Sequence, residues 1–299
     1  MNYKKTVRAC FTGGIVQAVI VNFAPLLFLT FHTRYEIPLS QITMLATVNF
    51  SIQLLVDFAS AFFVDKIGYR VCILLAHGFS FCGLVCLSLL PNLLSNPLIG
   101  LMISVCIYAA GGGLLEVLTS PMIEACPTPA EQKAKSMSLL HSFYSWGCVG
   151  VILLSTLFFT AFGMDKWPVL TLIWSILPLV NGIVFSMVPL PPVQSDVAGI
   201  HGFKTLICNK TFWFFILMML CAGASEQAIS QWASAFMEQA LGISKTFGDL
   251  AGPMVFALMM GVSRTAFGKW GDRVNLNRAI ICCTVICLSL IHISFSESS

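Results

Sequence analysis

Charge is what this sequence has least of. Only 10% of its 299 residues are Asp, Glu, Lys or Arg, and 57% are hydrophobic. A soluble domain has about a quarter charged residues, so this chain cannot cover its own surface with polar groups in water. Alternating ten-residue strands are missing, which excludes an outer-membrane-type barrel. There is no P-loop and no G-x-S-x-G, so neither an ATPase nor a serine hydrolase is supported and no enzyme is expected. The twelve cysteines form no C-x-x-C pair, and the five histidines are scattered. Neither a metal site nor a disulfide framework is expected, and Cys reads as a small apolar packing residue.

Long apolar runs are what is there. They recur at roughly 20-residue length between short polar connections, the signature of a helical multi-span membrane protein. In lipid each segment must satisfy its own backbone, so the runs are expected to be helices. Nine spans are placed at approximately 10–31, 39–64, 71–90, 98–123, 138–161, 167–189, 211–241, 247–268 and 278–294. The first is too long for a signal peptide and lacks a small-residue cleavage site, so it is read as a retained helix. One set of alternate connections holds twelve Lys and Arg; the opposite set holds only Arg34, Lys166 and Lys245. That bias implies a cytoplasmic N-terminus in the plasma membrane. It also accounts for the net charge of +3, which gives no reason to expect nucleic-acid binding.

The longest polar connection, 190–210, has a Pro pair and glycines and reads as a cytoplasmic linker. It divides a six-helix bundle, 1–189, from a partial second bundle of three helices, 211–299. A short turn, "DKIGYR" (65–70), follows the second span, and "GKWGDRVN" (268–275) follows the eighth. Asp65 and Asp272 stand 207 residues apart, and repeated halves are a hallmark of secondary transporters.

"AFFVDKIGYR" (61–70) resembles the loop signature of the major facilitator superfamily, with Ala61 in place of the usual first Gly. "GKWGDR" (268–273) is similar to its weaker second copy. The resemblance implies an all-α polytopic membrane fold and a conformational latch. The latch would be carried by Asp65, Lys66, Gly68 and Arg70, with Asp272 and Arg273 in the second half. Three more stretches resemble the fucose, galactose and glucose proton symporters. Leu115 and Glu116 are followed by Pro121, as in that group's Leu-Glu-x-x-x-x-Pro. "LHSFYSWG" (140–147) is similar to Gln-x-x-Asn-x-x-Gly, with His141 and Tyr144 at the two polar positions. "GASEQAISQWA" (223–233) is similar to Gly-x-Glu-x-x-Ile-x-x-Trp, with Glu226, Ile229 and Trp232 at matching spacing. This sequence also departs from the family. The first span, "GGIVQAVIVNFAPLLF" (13–28), has no carboxylate to work with Glu116, which puts a two-carboxylate relay in doubt. The family's common Arg is absent from "VCIYAAGGG" (105–113). "GCVGVILLS" (147–155) lacks the Gly-Pro of drug antiporters. A twelve-helix member would continue for about 100 residues, so the ending "CLSLIHISFSESS" implies a C-terminally truncated member that transports poorly.

A charge at a helix centre in lipid costs about 2.5–3.5 kcal/mol, so such groups normally face a cavity or a partner. Desolvation favours the neutral acid. A carboxyl group whose hydration changes can therefore take a proton on one side and release it on the other. Glu116 is the candidate proton carrier. Gly111 to Gly113 would let a helix or solute approach closely, and Pro121 would bend the helix around the site. Glu226, Gln227 and Gln231 offer hydrogen bonds at helical spacing, and Trp232 a flat apolar face, so this stretch reads as solute-binding surface. Gln17 and Asn22 on the first span, and Asn49 and Gln53 sharing one face of the second, put polar groups at similar depth with His141. A midplane site requires that. Asp57 is expected to pair with a latch cation and Arg264 to snorkel to the interface. Glu124 and Asp249 need no special role. These readings imply a secondary transporter of a small polar solute, a sugar first, driven by a proton gradient and needing no cofactor. Its partners would be the solute and the bilayer, and a monomer is favoured. An exporter or uniporter of another small molecule stays open, as does a non-transporting membrane sensor or scaffold.

Overall fold

The computed structural model describes residues 3–127, 130–192, 205, 207–270, 275, 278, 280–286 and 288–289. Among these residues there is no strand. Eight helices are long and apolar enough to cross a membrane, matching the first eight expected spans. Of the ninth, 280–286 is helical, and much of the remainder lies outside the described residues. Most of the linker and the second latch turn, including Asp272 and Arg273, also lie outside them.

The first span is α1 (Lys4–Asn22), a 3-10 turn (Ala24–Leu27) and α2 (Phe28–Tyr35). Pro25 has no N–H to donate, which removes an α-helical hydrogen bond, and here a tighter 3-10 turn carries the chain across. The second span is α3 (Leu39–Ile67) and the third α4 (Tyr69–Leu93). Only Gly68 separates them, at φ +90°, a left-handed conformation in which a side chain would be strained. The fourth span, α5 (Pro97–Ala125), starts with Pro97 in its first turn and the Asn96 side chain accepting from the Leu98 N–H at 3.0 Å. The fifth and sixth spans are α6 (Ala130–Phe162) and α7 (Trp167–Met187). The seventh is α8 (Lys210–Leu241). The eighth joins α9 (Lys245–Asp249) through a π turn (Leu250–Met254) containing Pro253 to α10 (Val255–Trp270).

α5 is the hub of the first six spans, and "GGG" at 111–113 makes it so. Successive helical residues point about 100° apart, so the three glycines face three different helices. A Cβ on Gly111 would lie 2.6 Å from the Ala76 carbonyl oxygen of α4. On Gly112 it would meet Ile20 and Gln17 of α1 at 3.0 and 3.1 Å, and on Gly113 the Gln53 backbone of α3 at 3.0 Å. No other residue allows all three approaches.

α3 is amphipathic in the membrane sense. Leu54, Leu55, Phe58 and Phe62 are exposed, as lipid-facing side chains are, while Asn49, Gln53 and Ser60 are buried. In the latch turn, Arg70 donates to the carbonyls of Phe185, Ser186 and Val188 at 3.0, 2.7 and 2.9 Å. A cation thus closes the C-terminus of α7, where the helix leaves carbonyls without partners and a negative dipole end. Asp65 and Lys66 are exposed, and their side chains make no hydrogen bond or ion pair among the described residues.

The two helix groups meet along α6. Ala18 and Leu26 of the first span, Cys148 and Ile152 of α6, and Ala257 of α10 form a small shared apolar core.

Candidate functional site

The buried polar side chains of α3, α1 and α5 form one hydrogen-bonded line. Asn49 and Gln53 are one turn apart, and Gln53 Nε2 donates to Asn49 Oδ1 at 3.1 Å. Gln17 of α1 then uses both protons of Nε2, one to Gln53 Oε1 at 3.2 Å and one to Glu116 Oε2 at 3.4 Å. Glu116 is therefore oriented by an amide of the first span, where the sequence offers no acid. Gly112 eases this, because a Cβ there would stand 3.1 Å from Gln17 Oε1 and press on the amide.

Glu116 opens into a cavity of about 540 Å³ whose lining comes from both helix groups. α1 contributes Gln17; α3, Gln53 and Asp57; α5, Glu116; α6, His141 and Tyr144; α8, Glu226 and Gln227; α10, Arg264. Seven of the eleven proton-coupling and solute-binding residues named from the sequence line this one space.

The other four do not line it. Asn22 donates to the Ala18 carbonyl and to Cys148 Sγ at 3.0 and 3.2 Å, and accepts from Ser230 at 3.4 Å. Gln231 donates to the Val21 carbonyl at 3.1 Å, and Trp232 packs on Phe28 with ring centroids 5.4 Å apart. These groups join α8 to the first span. Asn49 holds Gln53 from behind.

Three residues stand elsewhere than their sequence expectations. Asp57 has no ion pair among the described residues; it lines the cavity, one α3 turn beyond Gln53. Arg264 does not snorkel. It is half-buried on the cavity wall, where its Nη1 donates to Ser145 Oγ at 3.0 Å and reaches the His141 carbonyl at 3.5 Å. Asp249 is not an incidental span-end residue. It is 1% exposed, accepts from Ser234 and from Thr156 of α6, and pairs with Lys245 at 3.4 Å. The ladder Asn49, Gln53, Asp57, at spacing of four, was the available signal for Asp57. Asp249 had only Lys245, four residues earlier, as a local signal and Arg264 had none, since their partners on α6 are about ninety or more positions away in sequence.

His77 is also buried in a polar junction the sequence did not announce. Its Nδ1 lies 2.8 Å from the Ile73 carbonyl and its Nε2 lies 2.9 Å from Asn181 Nδ2, which also donates to Ala9 O. It ties α4, α7 and α1 together away from the cavity. Among the described residues no three His, Cys, Asp or Glu side chains gather as metal ligands.

Three buried acceptors on the cavity wall, Gln17 Oε1, Gln227 Oε1 and Asp57 Oδ1, have no protein donor among the described residues. Unpaired buried acceptors are costly, and a bound donor would satisfy them.

The family model for the Major Facilitator Superfamily matches residues 9–299. Among solved structures, the fold resembles the xylose transporter XylE from E. coli in a partially occluded inward-open conformation. The TM-score is 0.60 at 13% identity, over 90% of this chain and 71% of that one. A D-xylose-proton symporter gives 0.60 at 15% identity over 90% and 67%. The proton:xylose symporter XylE bound to 6-bromo-6-deoxy-D-glucose gives 0.57 at 14% identity over 90% and 54%. The chain thus spans 54–71% of the length of these structures, and the likeness is one of fold. No curated protein sequence matches it.

Proposed function

The chain belongs to the major facilitator superfamily, and on that premise we propose that it carries a small polar solute, a sugar first, across the plasma membrane together with protons, by alternating access. The observation that supports this most is the shared cavity: a carboxyl group held by an amide, in a space lined by polar side chains from both helix groups. The unpaired Gln17 and Gln227 oxygens call for donors, and the hydroxyls of a sugar supply them. The solved structures of similar fold include xylose:proton symporters, which is in keeping with this reading. The Lys and Arg bias supports a cytoplasmic N-terminus.

The proton step belongs to Glu116. Held by one Gln17 N–H, it accepts a proton when the cavity is hydrated from the side of higher proton activity. Neutral, it no longer bears the charge that costs about 2.5–3.5 kcal/mol in the membrane interior, and the groups can close around it. Deprotonation on the other side restores the carboxylate and weakens solute binding there. Rocking would break the Thr156–Asp249 contact or the Ser145–Arg264 contact in turn, since α6 meets the second group at both.

The test is transport in proteoliposomes with labelled D-glucose, D-galactose, L-fucose and D-xylose under an imposed pH gradient. Gradient-driven accumulation of one of them is expected in the native protein. In Glu116→Gln, accumulation should be lost while solute exchange continues. Unchanged accumulation in that variant would remove the proton role from Glu116, and no movement of any polar solute would remove the transport reading.

A further inference from the structure

We propose that Asp57 is a second proton-binding group of the same cavity, so that each solute crosses with two protons. The proposal rests on the transport reading above. Asp57 continues the buried polar face of α3, four residues after Gln53 and eight after Asn49, and lines the cavity. Its Oδ1 is enclosed and has no hydrogen-bond partner among the described residues. α5 makes room for it, because a Cβ on Gly113 would stand 3.2 Å from that oxygen. Gly113 and Glu116 are three apart on α5 and share a face. The two carboxyl groups therefore sit beside each other on one wall, contributed by two helices.

The charged and titratable groups that share the cavity with Asp57 are Glu116 on α5, His141 and Tyr144 on α6, Glu226 on α8 and Arg264 on α10. α1 offers the neutral Gln17. The Arg264 guanidinium is engaged with Ser145 and the His141 carbonyl, and forms no ion pair with either carboxylate among the described residues. Two neighbouring carboxylates with no cation paired to either do not both remain ionised in a poorly solvated site. A proton is the smallest donor that satisfies an enclosed, unpaired carboxylate oxygen. On release, the O–H bond of the Asp57 carboxyl breaks and its proton passes to cavity water, leaving the carboxylate and hydronium.

The first test needs no solute. The protein in liposomes is titrated by infrared difference spectroscopy across the protonated-carboxyl stretch. Two titrating components are expected, one lost in Asp57→Asn and the other in Glu116→Gln. A spectrum of Asp57→Asn identical to the native one would overturn the proposal. The second test uses whichever of D-glucose, D-galactose, L-fucose and D-xylose the native protein accumulates, with the membrane potential clamped at zero. A tenfold proton gradient then sustains about 100-fold accumulation with two protons and about tenfold with one. Asp57→Asn should fall from the first figure to the second, and native accumulation of only about tenfold would refute the two-proton stoichiometry. If no sugar accumulates at all, the transport reading fails, and the infrared titration still decides whether Asp57 takes up a proton.

Discussion

Replacing Gly111 by Ala should destabilise the protein, and the same change at Gly78 should stabilise it. Both residues lie inside long helices, Gly111 in α5 and Gly78 in α4. Helix propensity alone favours Ala over Gly by about 0.8–1.0 kcal/mol at each position. The surroundings decide the sign. At Gly78 nothing lies within 4 Å of the added methyl, so the propensity gain stands. At Gly111 the methyl would lie 2.6 Å from both the Ala76 carbonyl oxygen and the Ser80 backbone nitrogen. Those are backbone atoms of α4 and cannot rotate away, so the two helices must separate. Overpacking of this kind costs about 1–3 kcal/mol, leaving a net loss of up to about 2 kcal/mol. The assay is the midpoint of thermal unfolding in one detergent, measured for native protein and both variants at one scan rate. The Gly78→Ala midpoint should rise and the Gly111→Ala midpoint fall. A Gly111→Ala protein as stable as Gly78→Ala would refute the claim that α5 is held against α4 by the absence of a side chain.

Arg70→Lys removes a fork that reaches three carbonyls and leaves a point charge. Because Arg70 is exposed, the loss should be modest, about 1–2 kcal/mol locally; hydrogen exchange over 185–188 should quicken, and unchanged exchange would deny the capping role. Asp249→Ala strips the acceptor from Ser234 and Thr156 and leaves Lys245 alone. Lys245 still reaches water, so the cost should be about 2–3 kcal/mol, below the full penalty for breaking a buried pair. It should appear as a lower unfolding midpoint and weaker engineered cross-linking between α6 and α8.

The membrane fold was legible because it follows from local composition. An apolar run of span length must be a helix whatever surrounds it, and the ends of α3, α4, α5 and α8 fall within a few residues of where the hydropathy placed them. Glu116 was legible for a related reason: a carboxylate in such a run needs a cavity or a partner. Its partner was not legible. Nothing near it in sequence points to Gln17, which lies 99 positions earlier and meets it because Gly112 lets α1 close on α5.

The same division runs through the whole molecule. Hydropathy by itself determined how many described segments cross the membrane, and the Asp65-to-Arg70 turn and helix patterns pointed to the superfamily. Which polar residues face one another was decided only in three dimensions. Asn22 and Gln231 look as suitable for a site as Gln17 and Gln227, yet the packing of α8 against the first span spends them on holding the two helix groups together. Asp57 and Arg264 look like residues for the membrane edge, yet helix rotation turns them into the cavity. A one-dimensional pattern records which residues are polar and how far apart they lie along one helix. It does not record the rotation of each helix against its neighbours, and that rotation determines which polar groups form the site.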